Sequence, residues 1–90
     1  MSVTVFIPPF LRSYISNGKL TNISGSTVGE CINNLIQQFP ETRKLLLSDK
    51  GKLLDNVGIY INKEMVSSDE LIAPVKDGDE IYIISTVMGG

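Results

Sequence analysis

Few side chains in this sequence are equipped for chemistry. It holds no histidine and one cysteine, Cys31. The commonest acid–base group and the commonest metal ligand are therefore missing. Cys31 offers a thiol, but it lies inside an apolar stripe, where a free cysteine behaves as a small hydrophobe. Asp77-Gly78-Asp79 brings two carboxylates together. Two acids on one turn fall short of the ligand count that calcium or magnesium requires, and Asp-Gly is first of all a turn sequence. Glu30 stands three residues after Thr27, the spacing of a helix cap. Glycine-rich phosphate loops, dinucleotide fingerprints and nucleophile elbows are absent. These readings predict no metal site, no bound cofactor and no self-sufficient enzyme. The remaining candidate is main-chain. The sequence closes on Gly89-Gly90, directly after the apolar run "DEIYIISTV". At average usage, two closing glycines arise by chance in about one chain in 200.

The elements that must carry this ending can be read from periodicity. "SVTVFIPP" alternates: Val3, Val5 and Ile7 point one way, Thr4 and Phe6 the other, and Pro8-Pro9 ends the ladder. Asn17-Gly18 signals a turn into a second strand, "KLTNIS". In "STVGECINNLIQQFP", Val28, Cys31, Ile32, Leu35, Ile36 and Phe39 share one helical face. Thr27 and Glu30 form a capping box, and Pro40 ends the helix. "ETRKLLLS" predicts a further turn or two. "VGIYIN" is a strand with Val57, Ile59 and Ile61 inward and Tyr60 outward, and "KEMV" returns as a short partner. "EIYIISTV" is the last strand, with Ile81, Ile83 and Val87 on one face and Tyr82, Ile84 and Thr86 on the other.

One long amphipathic helix has a single large partner available, the apolar face of the sheet. The first and last strands are the most apolar. Placed side by side in the centre they must run parallel, with the intervening chain as crossover. The expected architecture is α+β: a β-grasp, ubiquitin-like fold, with a mixed sheet of four to five strands packed on one main helix. The expected organisation is a β-grasp domain over residues 1–85 and a flexible C-terminal tail over residues 86–90. Phe6, Tyr82 and Ile84 fall together on the face away from the helix, and adjacent exposed apolar side chains mark a partner surface. Met65 is a weaker candidate for the same surface.

Composition narrows the partners. The chain has 90 residues, 42% hydrophobic and 20% charged, with a net charge of −2. That balance describes one globular domain and argues against nucleic acid as main partner. The basic run Arg43, Lys44, Lys50 and Lys52 is interrupted by Asp49, lacks aromatic residues and reads as a solvated loop. No apolar run approaches the ~20 residues needed to cross a bilayer. The short, proline-broken opening does not read as a targeting segment, and one cysteine suits a reducing compartment, so a cytoplasmic location without membrane contact is expected.

"DGDEIYIISTVMGG" resembles the C-terminal signature of the ThiS/MoaD sulfur carriers: an Asp-Gly-Asp turn, an apolar strand and Gly-Gly. "GKLLDNVGIYINKEMV", including the turn at Asn62, "VTVFIPPFLR" and the helix segment fit the same family, so the resemblance spans nearly the whole chain. Within it, "GKL…VGIYINKEMV" and the length look closer to CysO-type carriers than to short ThiS proteins. The chain departs at Ser85-Thr86, where a proline is often found, and at Met88, where a small residue is common.

The resemblance implies a function as co-substrate. An adenylating enzyme of the ubiquitin-activating type would use ATP to adenylate the Gly90 carboxylate. A sulfur donor would then displace AMP and leave a thiocarboxylate. Val87, Met88 and Gly89 would thread the partner's channel, and Phe6, Tyr82, Ile84 and Met65 would dock the body. The sulfur acceptor would be a cysteine synthase-like enzyme, the large subunit of molybdopterin synthase or a thiazole synthase. Three other readings stay open: the small subunit of molybdopterin synthase, a ubiquitin-like modifier joined to lysines, and a plain β-grasp binding module.

Overall fold

The computed structural model describes residues 2–15, 18–66 and 69–85. Five strands build one sheet: β1 (Ser2–Phe6), β2 (Leu20–Ser24), β3 (Val57–Ile61), β4 (Glu64–Met65) and β5 (Glu80–Ser85), in the order β2-β1-β5-β3-β4. β5 pairs parallel with β1 and antiparallel with β3, while β2 and β4 pair antiparallel at the edges. The expected mixed sheet, with first and last strands adjacent and parallel, is therefore present. The turn residue Asn17 and the strand residues Thr86 and Val87 lie outside the described residues. Gly18 does occupy the left-handed region, at φ 87°, as a glycine turn requires.

α1 (Val28–Gln38) covers one face of the sheet. Val28, Cys31, Ile32 and Leu35 are buried, and Ile36 and Phe39 pack half-buried at the edge of the same stripe. They meet Val3, Val5, Ile7, Ile59, Ile81 and Ile83, the inward half of the strand alternation. The cap of α1 differs in one detail from the expected box. The Glu30 N–H donates to Thr27 Oγ1 at 3.1 Å, as expected. The Glu30 carboxylate, however, accepts from both the N–H and the hydroxyl of Ser26, at 2.8 and 2.9 Å, one residue before the cap. These bonds hold the Glu30 carboxyl below the usual carboxylate range. Pro40 ends α1 and opens a 3-10 turn (Pro40–Thr42), followed by α2 (Arg43–Leu46).

The core also takes residues from short helical turns and irregular segments. Leu11 and Ile15, in the stretch between β1 and β2, are buried, as are Leu46, Leu47 and Val75. Among the described residues no helix is long and apolar enough to cross a membrane.

Candidate functional site

Strand register gathers the expected patch and enlarges it. Leu20 sits opposite Phe6, Phe6 opposite Tyr82, Tyr82 opposite Tyr60, and Tyr60 opposite Met65. Residues opposite one another share a face, so these side chains form one row across all five strands, on the side away from α1. Phe6 and Tyr82 stack with centroids 4.2 Å apart and planes 5° from parallel. The row is open at its ends: Leu20 is 45% and Met65 55% exposed. Ile84 stands two residues along β5 from Tyr82, opposite Gly58. Gly58 presents no side chain there, and Ile84 stands half-buried on this face.

Two hollows flank the Tyr82–Ile84 ridge. One, about 350 Å³, is lined by Tyr60, Asn62, Lys63, Tyr82 and Ile84. The other is a cleft of about 1100 Å³ at the end of the sheet where β5 finishes. Phe6, Pro8, Phe10, Tyr82 and Ile84 supply apolar walls, Arg12 and Lys19 supply charge, and Ser85 closes one side. The final described residue of the chain thus borders the aromatic row.

The opposite end of the sheet is fixed by the Asp-Gly-Asp turn, with one carboxylate bonded within the turn and the other to the start of β1. Gly78 has φ 87°. Asp77 Oδ1 accepts from the Ser2 N–H at 2.9 Å, and Asp79 Oδ2 from the Lys76 N–H at 2.8 Å. Asn62, left-handed at φ 57°, locks β3 to β5: its Oδ1 accepts from the Glu80 N–H and its Nδ2 donates to Asp79 Oδ1. The Lys76 N–H and the Asn62 amide hold the Asp79 carboxyl below its ordinary range. The Tyr82 hydroxyl donates to Glu80 Oε1 at 3.2 Å, and burial together with that carboxylate pushes the phenol up.

Cys31 belongs to the core. It is 1% exposed, and burial followed by the nearby Glu30 charge raises its thiol. A Cβ on Gly25 would sit 2.7 Å from its Sγ, so the glycine is what lets the chain pass over the cysteine.

Phe6, Tyr82, Ile84 and Met65 are therefore brought to one face. Val87, Met88, Gly89 and Gly90 lie outside the described residues. Leu20, Tyr60, Arg12 and Lys19 join the site without having been assigned to it from sequence. Leu20 carries a signal: it lies three residues before buried Ile23, and in a strand residues three apart face opposite ways.

Together, sheet order and helix placement define a ubiquitin-like β-grasp domain, one sheet face of which carries the open aromatic row. The sequence profile of the ThiS family matches residues 15–90. The chain belongs to the ThiS family. It is 38% identical over 93 residues to the sulfur carrier protein CysO of Mycobacterium tuberculosis, covering 100% of each chain. The CysO-type chain in the crystal structure of the Amycolatopsis orientalis BexX/CysO complex superposes with a TM-score of 0.87 at 36% identity, covering 98% of this chain and 99% of that one. Ubiquitin-related modifier 1 of Encephalitozoon cuniculi is 35% identical over 68 residues, 72% of this chain and 69% of that protein.

Proposed function

We propose that this chain is a sulfur carrier whose reactive group is the Gly90 carboxylate. One observation carries the reading: the ThiS family match runs through position 90, and the body bearing that ending exposes an aromatic row beside the last described residue. An oxygen of the carboxylate attacks the α-phosphorus of ATP in a ubiquitin-activating-type enzyme, and pyrophosphate leaves. A sulfide-level nucleophile attacks the acyl-adenylate carbonyl, AMP leaves, and a thiocarboxylate remains. Its sulfur passes to a synthase. ATP is the partner's substrate, and this chain needs no bound cofactor.

The residue types suit that role. Gly89 and Gly90 have no Cβ, so their backbone fits a narrow site and tolerates unusual φ values. Residues 86–90 span at most ~17 Å when extended, enough to reach into a partner while the body stays outside. Phe6, Tyr82, Ile84 and Met65 form the docking face. The CysO likeness favours an acceptor resembling a cysteine synthase, and a reducing cytoplasm suits a thiocarboxylate.

Intact-mass spectrometry of the protein from its own cells tests the reading. A gain equal to the mass difference between sulfur and oxygen, located at Gly90, is expected. A C-terminus found only as carboxylate, in cells starved for sulfur as well as replete, refutes it. The likeness to ubiquitin-related modifier 1 supports a second use, conjugation of the same activated end to lysines. Gly-Gly remnants on lysines of other proteins are its readout.

A further inference from the structure

The cleft at the end of β5 carries a feature that the apolar face does not account for. Both of its basic residues bond Ile7, Lys19 through its backbone carbonyl and Arg12 through its side chain. The Ile7 N–H donates to the Lys19 carbonyl at 2.8 Å, and the Ile7 carbonyl accepts from Arg12 Nε at 3.1 Å. Ile7 thus draws to one rim an arginine six residues beyond β1 and a lysine directly before β2. 

Both side chains are exposed, and among the described residues neither forms an ion pair. The chain as a whole carries a net charge of −2, so this rim runs against its average.

We propose that the cleft seats an acidic segment of the adenylating partner, with an apolar side chain against Phe6, Phe10 and Tyr82 and a carboxylate held by Arg12 and Lys19. This rests on the function proposed above. The charge pattern selects the occupant. A carboxylate matches an arginine fork, and two cations beside apolar walls do not make the extended basic field that nucleic acid needs. The phosphates of ATP must meet Gly90, at the far end of a span of up to ~17 Å that begins at this cleft, so they are not its ligand while the tail is extended. Paired charges at the root of the tail would steer the carrier onto its partner and set its register before the terminus enters the site.

ATP–pyrophosphate exchange by the source organism's purified ubiquitin-activating-type enzyme tests this, with KM for the carrier as readout. The charge reversal Arg12→Glu with Lys19→Glu is expected to raise KM by about 10-fold or more with kcat nearly unchanged, and to abolish its rise with added salt. Lys19→Gln, which removes no side-chain bond within the fold, is expected to raise KM about 3-fold, and Arg12→Lys, which keeps the charge but loses the fork, to raise it by a similar factor. Lys44→Gln, on α2, serves as control. Unchanged KM and unchanged salt dependence in both Lys19→Gln and the double reversal overturn the inference while leaving the sulfur-carrier reading intact. Absence of exchange with the unaltered chain overturns both. A concentration-dependent dimer that Lys19→Gln dissolves overturns it in favour of a second copy of this chain.

Discussion

The two faces of the sheet are built from the same strands by the same alternation, yet they do opposite things with apolar side chains. On the inner face Val3, Val5, Ile59, Ile81 and Ile83 are all at most 2% exposed beneath α1. On the outer face Phe6, Tyr60, Tyr82 and Ile84 remain half-buried, and Leu20 and Met65 are open. The inner face is aliphatic and β-branched, which fills a core densely. The outer face is aromatic at its centre, and aromatic side chains supply large, stiff contact area at low entropic cost. The difference teaches that the outer residues are not a second core left unfinished. Stability resides on the inner side of the sheet, and the proposed recognition falls on the outer.

The largest expected effect separates the faces directly. Ile59→Ala empties a fully buried position and is expected to cost about 2–5 kcal/mol in urea unfolding. Ile84→Glu is expected to change stability by no more than about 1 kcal/mol, because its side chain reaches solvent. In pyrophosphate exchange the order reverses. Ile84→Glu places a charge in the docking face and is expected to block adenylation, while folded Ile59→Ala keeps it. A large stability loss in Ile84→Glu, or normal exchange, would break the division.

A smaller effect sharpens the inner side alone. Thr27 caps α1, the element that covers the inner face, through its bond to the Glu30 N–H. Thr27→Ala is expected to cost about 1 kcal/mol in unfolding and to leave KM for the carrier in exchange unchanged. Serine at the same position should restore most of the loss, since its hydroxyl accepts the same bond.

The inner face was legible in the sequence because burial writes a period. The alternation in "SVTVFIPP" and "EIYIIS" and the stripe from Val28 to Phe39 each record one buried side, and their order leaves few topologies. The stretch from Pro9 to Ile15 was opaque. Leu11 and Ile15 enter the core from a 3-10 turn and its exit, too short to show any period. The outer face was half legible. Phe6, Tyr82 and Ile84 follow from parity on two strands, but the row to Leu20 and Met65 depends on register, which local sequence leaves open. Arg12 and Lys19 were illegible for a further reason. They meet only through the backbone of Ile7, and backbone hydrogen bonds leave no trace in side-chain pattern.

The smallest expected effect concerns pH, and it too falls on the fold and not on the docking face. Glu30 and Asp79 are held below the ordinary carboxylate range by backbone N–H groups and neighbouring side chains. A carboxyl whose folded value is depressed contributes stability above its unfolded value, about 4, and loses that contribution as pH falls through the lower folded value. Melting temperature should therefore hold steady from neutral pH down to about 5 and decline below about 4. Both carboxylates are exposed enough for solvent to screen them, so the decline should be shallow. Glu30→Gln and Asp79→Asn should each flatten it. The aromatic row contributes nothing to this slope, because the Tyr82 phenol is raised and stays protonated throughout the range. An acid decline unchanged in both variants would place the responsible carboxylates elsewhere, and one abolished by Tyr82→Phe would tie the outer face to stability after all.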